Sequence, residues 1–317
     1  MYISRMKNMG WIVPTHPPRK DELIVLINSF KKFSNSVDLI IVWTRKIDNF
    51  VVTENNIKSI YLDDFFSSVD LELFEKTRSI INVKKIFGVM HEYENYKGLI
   101  CTDDEIEFIQ NFDGKALLEK FINKKHFAAT NISSIRSKDN VLQRVLIESC
   151  KLIQEGGNRK LIQIATKNYA LYGWFSDIPF YDSKFVPDFL DKFGLTGYQS
   201  LTKLSFFTFD HILYQYYKIF MGDTNYYDLQ WEYTNKNIYN WFECLHLKPL
   251  NLVYVDYYQR VFAPSWVSSI DLATHFTEAI CIFHTDRIDK RYSKYLAIKH
   301  DLKSLTLHIF PKLEKYY

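Results

Sequence analysis

Residues 11–43, WIVPTHPPRKDELIVLINSFKKFSNSVDLIIVW, decide the fold class. Trp11-Ile-Val-Pro14 is a short apolar run stopped by Pro14-Thr-His-Pro-Pro18, which reads as a buried strand entering a rigid loop. From Asp21 to Phe33 the apolar residues Leu23, Ile24, Ile27 and Phe30 recur at three- and four-residue spacing, the stripe of an amphipathic helix. Val37 to Trp43 is nearly continuous in apolar and β-branched residues, as a strand buried on both faces requires. Strand, helix and strand in this order form a βαβ unit with parallel strands.

Outward from this unit, Ile57 to Leu62 reads as a third strand. Asp70 to Glu94 reads as a long helix with Leu73, Ile80, Val83, Phe87 and Met90 on one stripe and Lys84 and Lys85 beside it. Gly98-Leu-Ile-Cys101 is a brief strand that ends abruptly in Thr102-Asp-Asp-Glu-Ile-Glu107. The order β-α-β-β-α-β predicts an α/β fold, a mostly parallel sheet flanked by helices. Further on, helices are expected at Lys115–Asn123, Lys138–Glu155, Lys184–Phe193 and Leu204–Met221, with Gly156-Gly157 breaking the chain before a strand-like Lys160–Ala165. Ala170–Tyr181 and Leu250–Tyr258 read as extended, and Ala279–His284 as a last strand. A soft boundary near residue 130 separates residues 1–130 from a mixed, mainly helical half, 131–317, within one body.

The 317 residues carry 40 Lys+Arg against 37 Asp+Glu, a formal charge of +3, and 47% are hydrophobic. This balance excludes wholesale disorder, collagen and an electrostatic nucleic-acid wrapper. The four cysteines are scattered without a C-x-x-C pair, so neither a zinc knuckle nor a disulfide framework is expected. No run is long and apolar enough for a membrane-spanning helix, and Met1 to Trp11 lacks a secretory apolar core, so the expected location is cytoplasmic. The modestly basic tail from Lys290 to Lys315 suits peripheral contact with anionic lipid at the inner membrane face. Aromatic residues make up 17% of the chain. They reflect either an AT-rich coding sequence or ring faces that line a carbohydrate or lipid site. Nothing in the sequence sets an oligomeric state.

In an open parallel sheet, ligands bind outside the carboxyl ends of the strands, and Asp103-Asp104-Glu105 follows such an end. Three successive acids repel one another unless a cation or a set of donors compensates. Residues i and i+2 of an extended segment point the same way, so Asp103 and Glu105 are candidates to share a hard divalent ion, Mn²⁺ or Mg²⁺, which fills its remaining positions with water and phosphate oxygens. The other role open to these acids is a solvated turn, or a cap on a helix beginning near Ile106.

The chain here resembles the GT-A class of nucleotide-sugar glycosyltransferases, particularly bacterial enzymes that extend surface polysaccharides. The resemblance rests on Trp11-Ile-Val-Pro-Thr15 with its following loop and the helix ending Asn28-Ser-Phe30, and on Val37-Asp-Leu-Ile-Ile-Val-Trp43. It rests also on Val83-Lys-Lys-Ile-Phe87 leading to Gly98-Leu-Ile-Cys-Thr-Asp-Asp-Glu-Ile-Glu-Phe108. It covers residues 11–112 and implies a Rossmann-like GT-A fold with a nucleotide-sugar half and an acceptor half. It further implies that the D-x-D acids are Asp103 and Glu105, flanking a metal diphosphate, with Asp104 near the ribose or donor sugar; Glu105 stands where Asp is usual. It assigns the loop Pro14, Thr15, His16 and Arg19 to the nucleoside and brings Lys84 and Lys85 toward the donor, although helix lysines also serve as a solvated face. A late histidine, His284, becomes a further metal ligand, and Arg287 neutralises the departing diphosphate; the alternative for this stretch is a charge cluster capping a helix from Asp286.

Glycosyl transfer needs leaving-group neutralisation and, when it inverts, a carboxylate that removes the acceptor proton. Asp228 and Glu232, four apart and beside Trp231 and Tyr233, are the preferred pair, followed by Asp182 and Asp177. The expected partners are a nucleotide-sugar donor and a glycan or lipid-linked glycan acceptor from lipooligosaccharide, capsule or O-antigen synthesis. A sugar-phosphate nucleotidyltransferase and a noncatalytic sugar-binding protein are the alternatives. Markers for P-loop, dinucleotide and serine-hydrolase sites are absent from the sequence.

Overall fold

A computed structural model describes residues 6–51, 53–108, 110–122, 126–130, 140–155, 159–161, 180–228, 254–255 and 281–283. In chain order the main elements are β1 (Lys7–Pro14), α1 (Lys20–Phe33), β2 (Val37–Trp43), β3 (Ile57–Tyr61), α2 (Ser68–Lys76), α3 (Ile80–Glu92) and β4 (Tyr96–Cys101). They continue with β5 (Ile106–Phe108), α4 (Gly114–Ile122), α5 (Asn140–Glu155), β6 (Phe180–Asp182), α6 (Val186–Lys192), α7 (Asp210–Phe220) and β7 (Cys281–Phe283).

The central sheet has the order β3-β2-β1-β4-β6; the first four strands are parallel and β6 is antiparallel at the edge. Alternation along each strand explains the unbroken apolar sequence. Trp11, Val13, Leu39 and Ile41 face one core, shared with Leu23, Leu26 and Phe30 of α1 and Leu117 of α4. Ile12, Ile40, Val42 and Leu99 face the other, shared with Val83, Ile86 and Phe87 of α3 and Leu213 of α7. Each fully buried Leu, Ile or Phe contributes about 1.5–3 kcal/mol relative to exposure, so neither core is dispensable. The chain moves outward from β1 through β2 to β3, then crosses back to β4 on the far side of β1. Right-handed crossovers in opposite directions require their helices on opposite faces, which is where α1 and α3 lie. Part of the aromatic content is accounted for by packing, since Trp11 meets Phe108 edge-on at 4.8 Å and Phe108 stacks on Phe112 at 4.9 Å.

Several boundaries differ from the sequence expectation. The helix expected over residues 70–94 is two helices. The Thr77 hydroxyl takes the Leu73 carbonyl (2.8 Å) and Arg78 adopts φ 59°, which ends α2 and reorients the chain into α3. The helix expected from Leu204 begins only at Asp210. The Thr208 hydroxyl accepts from Ser205 N–H and donates to the Ser205 carbonyl, both at 2.8 Å, and the Ser205 hydroxyl accepts from Phe207 N–H (3.2 Å), which holds that stretch out of the helix. Lys160 and Leu161, expected to open a strand, are helical. The Ala170–Tyr181 segment is described only from residue 180, where β6 begins, and the late extended segments as Tyr254–Val255 and β7. Among the described residues no helix is long and apolar enough to cross a membrane.

Gly88 sets how closely α3 approaches the sheet, because a Cβ there would sit 2.7 Å from Ile12 Cγ2 and 3.2 Å from Val42 Cγ2. Gly88→Val is expected to lower unfolding free energy by about 1–3 kcal/mol through overpacking. Val69→Ala, on the exposed face of α2, is expected to stay within about 0.5 kcal/mol. Urea midpoints at constant m-value measure both.

Candidate functional site

The strand order reverses between β1 and β4, so their carboxyl ends open onto the crevice where doubly wound sheets bind ligands. The acid segment is pinned at its start. Thr102 N–H donates to the Ile12 carbonyl (3.0 Å), and the buried Trp11 indole N–H donates to Thr102 Oγ1 (2.8 Å). From the other lip, Thr15 N–H donates to the Val42 carbonyl (3.1 Å) and a short 3-10 turn, Pro17–Arg19, delivers Arg19.

Arg19 Nη1 lies 3.0 Å from Asp104 Oδ1 and also pairs with Glu105; the Thr15 side chain hydrogen-bonds Asp104 as well. Asp104 and Glu105 are only 3% and 2% exposed. Lys85, from the second turn of α3, places Nζ 2.9 Å from Asp103 Oδ1 and 3.8 Å from Asp210 Oδ1 on α7. Its neighbour Lys84 is buried and donates to the Thr15 carbonyl. Asp210 also accepts from the Tyr181 hydroxyl (2.6 Å) and faces His211 Nδ1 at 3.6 Å.

The electrostatics follow from this crowding. Burial pushes the Asp104 carboxyl above its usual range, against the opposing pull of Arg19. Burial lowers Lys84 from 10.5 to about 8. Burial works against the Lys85 charge as well, but Asp103 and Asp210 together raise it above its ordinary value. Burial likewise opposes ionisation of Asp210, yet Lys85, His211 and Tyr181 hold it well below the usual carboxylate range. His16 is lowered by partial burial and by the like charges of Lys84 and Arg19.

The crevice thus brings together Pro14, Thr15, His16, Arg19, Lys84, Lys85 and Asp103 to Glu105, which the sequence singled out from three separate stretches. Between Asp103 and Glu105 the chain bends at residues 104–105 instead of staying extended, and the internal cations divide among the acids: Lys85 pairs with Asp103, and Arg19 with Asp104 and Glu105. Asp182 is placed elsewhere. It pairs across from Gly98, toward the amino end of β4, where Oδ1 caps the turn by accepting from Lys184 N–H (3.2 Å) and Oδ2 meets Lys184 Nζ at 2.9 Å. A capping carboxylate at that end of the strand is remote from the acids. Asp228 ends the strand Thr224–Asp228, parallel to His126–Thr130, and its side chain is outside the described set. Asp177, Glu232, His284 and Arg287 lie outside the described residues. β7, immediately before His284, pairs with β5 so that Phe283 faces Ile106, the residue after Glu105.

Asp210, His211 and Tyr181 were not anticipated as site residues. The available signal was Thr208-Phe-Asp210, an acid-containing helix start; a helix drawn from Leu204 concealed it.

A divalent ion is compatible with this donor set. Asp103, Asp104, Glu105 and Asp210 supply four carboxylates against the three cations Arg19, Lys84 and Lys85, so hard oxygens outnumber the internal positive groups. No group of three or more His, Cys, Asp or Glu side chains suited to a metal occurs among the described residues. Carboxylates in ones and twos are the number that Mg²⁺ takes when phosphate and water complete its shell.

No protein-family model matches the chain, and no curated protein matches it significantly.

Lys84 makes the crevice pH-sensitive in a defined direction. Its folded pKa of about 8 lies below the ordinary 10.5, so between these values the unfolded chain holds a proton the folded chain has released, and stability rises with pH. Relative to Lys84→Met, the wild type is expected to gain on the order of 3 kcal/mol across that window. The lost Thr15 hydrogen bond shifts the variant by a pH-independent amount. Denaturant titrations of both proteins from pH 7 to 10.5 measure the difference; a flat difference contradicts the assignment.

Proposed function

We propose that the chain is a glycosyltransferase that moves a sugar from a nucleotide-sugar donor to a glycan acceptor in bacterial surface-polysaccharide synthesis, with Mn²⁺ or Mg²⁺ as its metal. The observation that carries this is the position of Asp103, Asp104 and Glu105 at the strand-order reversal, faced by Arg19 from one lip and by Lys84 and Lys85 from α3. Negative charge in excess of its internal cations favours a ligand that brings a cation, and a metal diphosphate is such a ligand. The resemblance of residues 11–112 to GT-A enzymes supports the same class.

In this reading Asp103 and Glu105 hold the ion, which when bound neutralises charge on the departing diphosphate. Arg19 then keeps Asp104 and Glu105 oriented, and its remaining donors are available to phosphate oxygens. Lys84 and Lys85 add positive potential where negative charge develops as the sugar–oxygen bond breaks. The loop from Thr15 to Arg19, stiffened by Pro17 and Pro18, bounds the nucleoside. Trp11 and Thr102 orient the acid segment from below without touching substrate.

The reading is tested with nucleoside diphosphates plus Mn²⁺ in thermal unfolding and with a panel of nucleotide sugars for turnover. A nucleotide at about 100 times its Kd should stabilise the wild type by about 2.7 kcal/mol, and Asp103→Asn should remove most of that gain. Turnover should release nucleoside diphosphate rather than pyrophosphate. Unfolding temperatures indifferent to every nucleotide, with Asp103→Asn identical to wild type, would end the proposal.

A further inference from the structure

We infer that His211, oriented by Asp210, is the base that takes the proton from the acceptor hydroxyl; this rests on the glycosyl-transfer reading and extends it. Asp210 is 1% exposed, whereas the side chains of His211, Lys85 and Asp103 are 15%, 14% and 17% exposed, so these three reach solvent around the buried carboxylate that His211 and Lys85 both face. One Asp210 oxygen is committed to the Tyr181 hydroxyl at 2.6 Å. The other, Oδ1, lies 3.6 Å from His211 Nδ1 and 3.8 Å from Lys85 Nζ. A buried carboxylate beside Nδ1 selects the tautomer with its proton on that nitrogen, which leaves Nε2 as the acceptor. The separation is long for a hydrogen bond, as catalytic contacts without substrate often are.

Lys85 joins this pair to the acids, since the same ammonium that faces Asp210 holds Asp103 at 2.9 Å. His211 is therefore connected to the cluster proposed to bind the donor, but comes from α7, in the half of the chain assigned to the acceptor. The carboxylates described in the crevice are less suited to the task, because Asp103 is tied to Lys85 and Asp104 and Glu105 to Arg19. In the transfer step the acceptor O–H proton moves to His211 Nε2 while the acceptor oxygen forms its bond to the sugar anomeric carbon. The bond from that carbon to the diphosphate oxygen breaks, and its electron pair leaves with the nucleoside diphosphate. The imidazolium left behind is stabilised by Asp210 until it returns the proton to solvent.

The test compares wild type, His211→Ala, His211→Gln and Asp210→Asn with UDP-glucose, UDP-galactose and UDP-N-acetylglucosamine, Mn²⁺ and a lactoside acceptor, following UDP release. Donor-induced thermal shifts are measured in parallel. His211→Ala and His211→Gln are expected to lower kcat about 100- to 10,000-fold with the donor KM and the donor-induced shift unchanged. Added imidazole should restore part of the His211→Ala rate, and Asp210→Asn should lower kcat while retaining donor binding. A His211→Ala kcat within about threefold of wild type, or a loss that imidazole leaves untouched and that removes the donor shift as well, overturns the assignment. Wild type that neither turns over nor is stabilised by any of the three donors fails at the parent reading; an active wild type with an active His211→Ala fails only here.

Discussion

Arg19 and Lys85 keep the end of β4 from repelling itself apart. Asp103, Asp104 and Glu105 follow one another in sequence, and two of them are nearly sealed from water. Buried carboxylates without partners are costly, and removing one partner of such a pair typically costs about 3–5 kcal/mol. Because Arg19 comes from the loop after β1 and Lys85 from α3, the two lips of the crevice and the helix behind it must settle together. The reversal of strand order gives them a common place to meet.

The same arrangement leaves the site short of positive charge. Asp104 is held toward its neutral form mainly by burial, and Lys84 sheds its proton more readily than an ordinary lysine. Both shifts come chiefly from burial, which disfavours whichever form of the group is charged. Such sites often prove functional because charge that the fold leaves open is available to a ligand.

The sheet was legible because its residues obey a strong rule. Val37 to Trp43 alternates between two apolar layers, so every residue but Asp38 is buried, and only a doubly covered strand asks for that. The acids were legible as a group, since their position after Cys101 follows from the strand itself. Their partners were not. That Lys85 reaches Asp103 depends on the break at Arg78, where one residue with positive φ sets the direction of α3. Helical periodicity runs through residues 70–94 without registering it. Asp210 was hidden for a related reason: Ser205 and Thr208 delay the helix by local hydrogen bonding, which an apolar stripe does not reveal. Asp182 looked chemical from its neighbours and turned out to serve as a cap.

The pairing of β6 with β4 carries a consequence for how the chain can be divided. β6 comes from beyond residue 130, yet it occupies the backbone groups along one side of a strand that ends in the acid cluster. A fragment cut near that point would expose a bare hydrogen-bonding margin on β4, flanked by Leu99 and Ile100, the kind of surface that recruits other chains into mixed sheets. Self-association of truncated forms is therefore built into the topology, and solubility depends on sequence far downstream of the strands it protects.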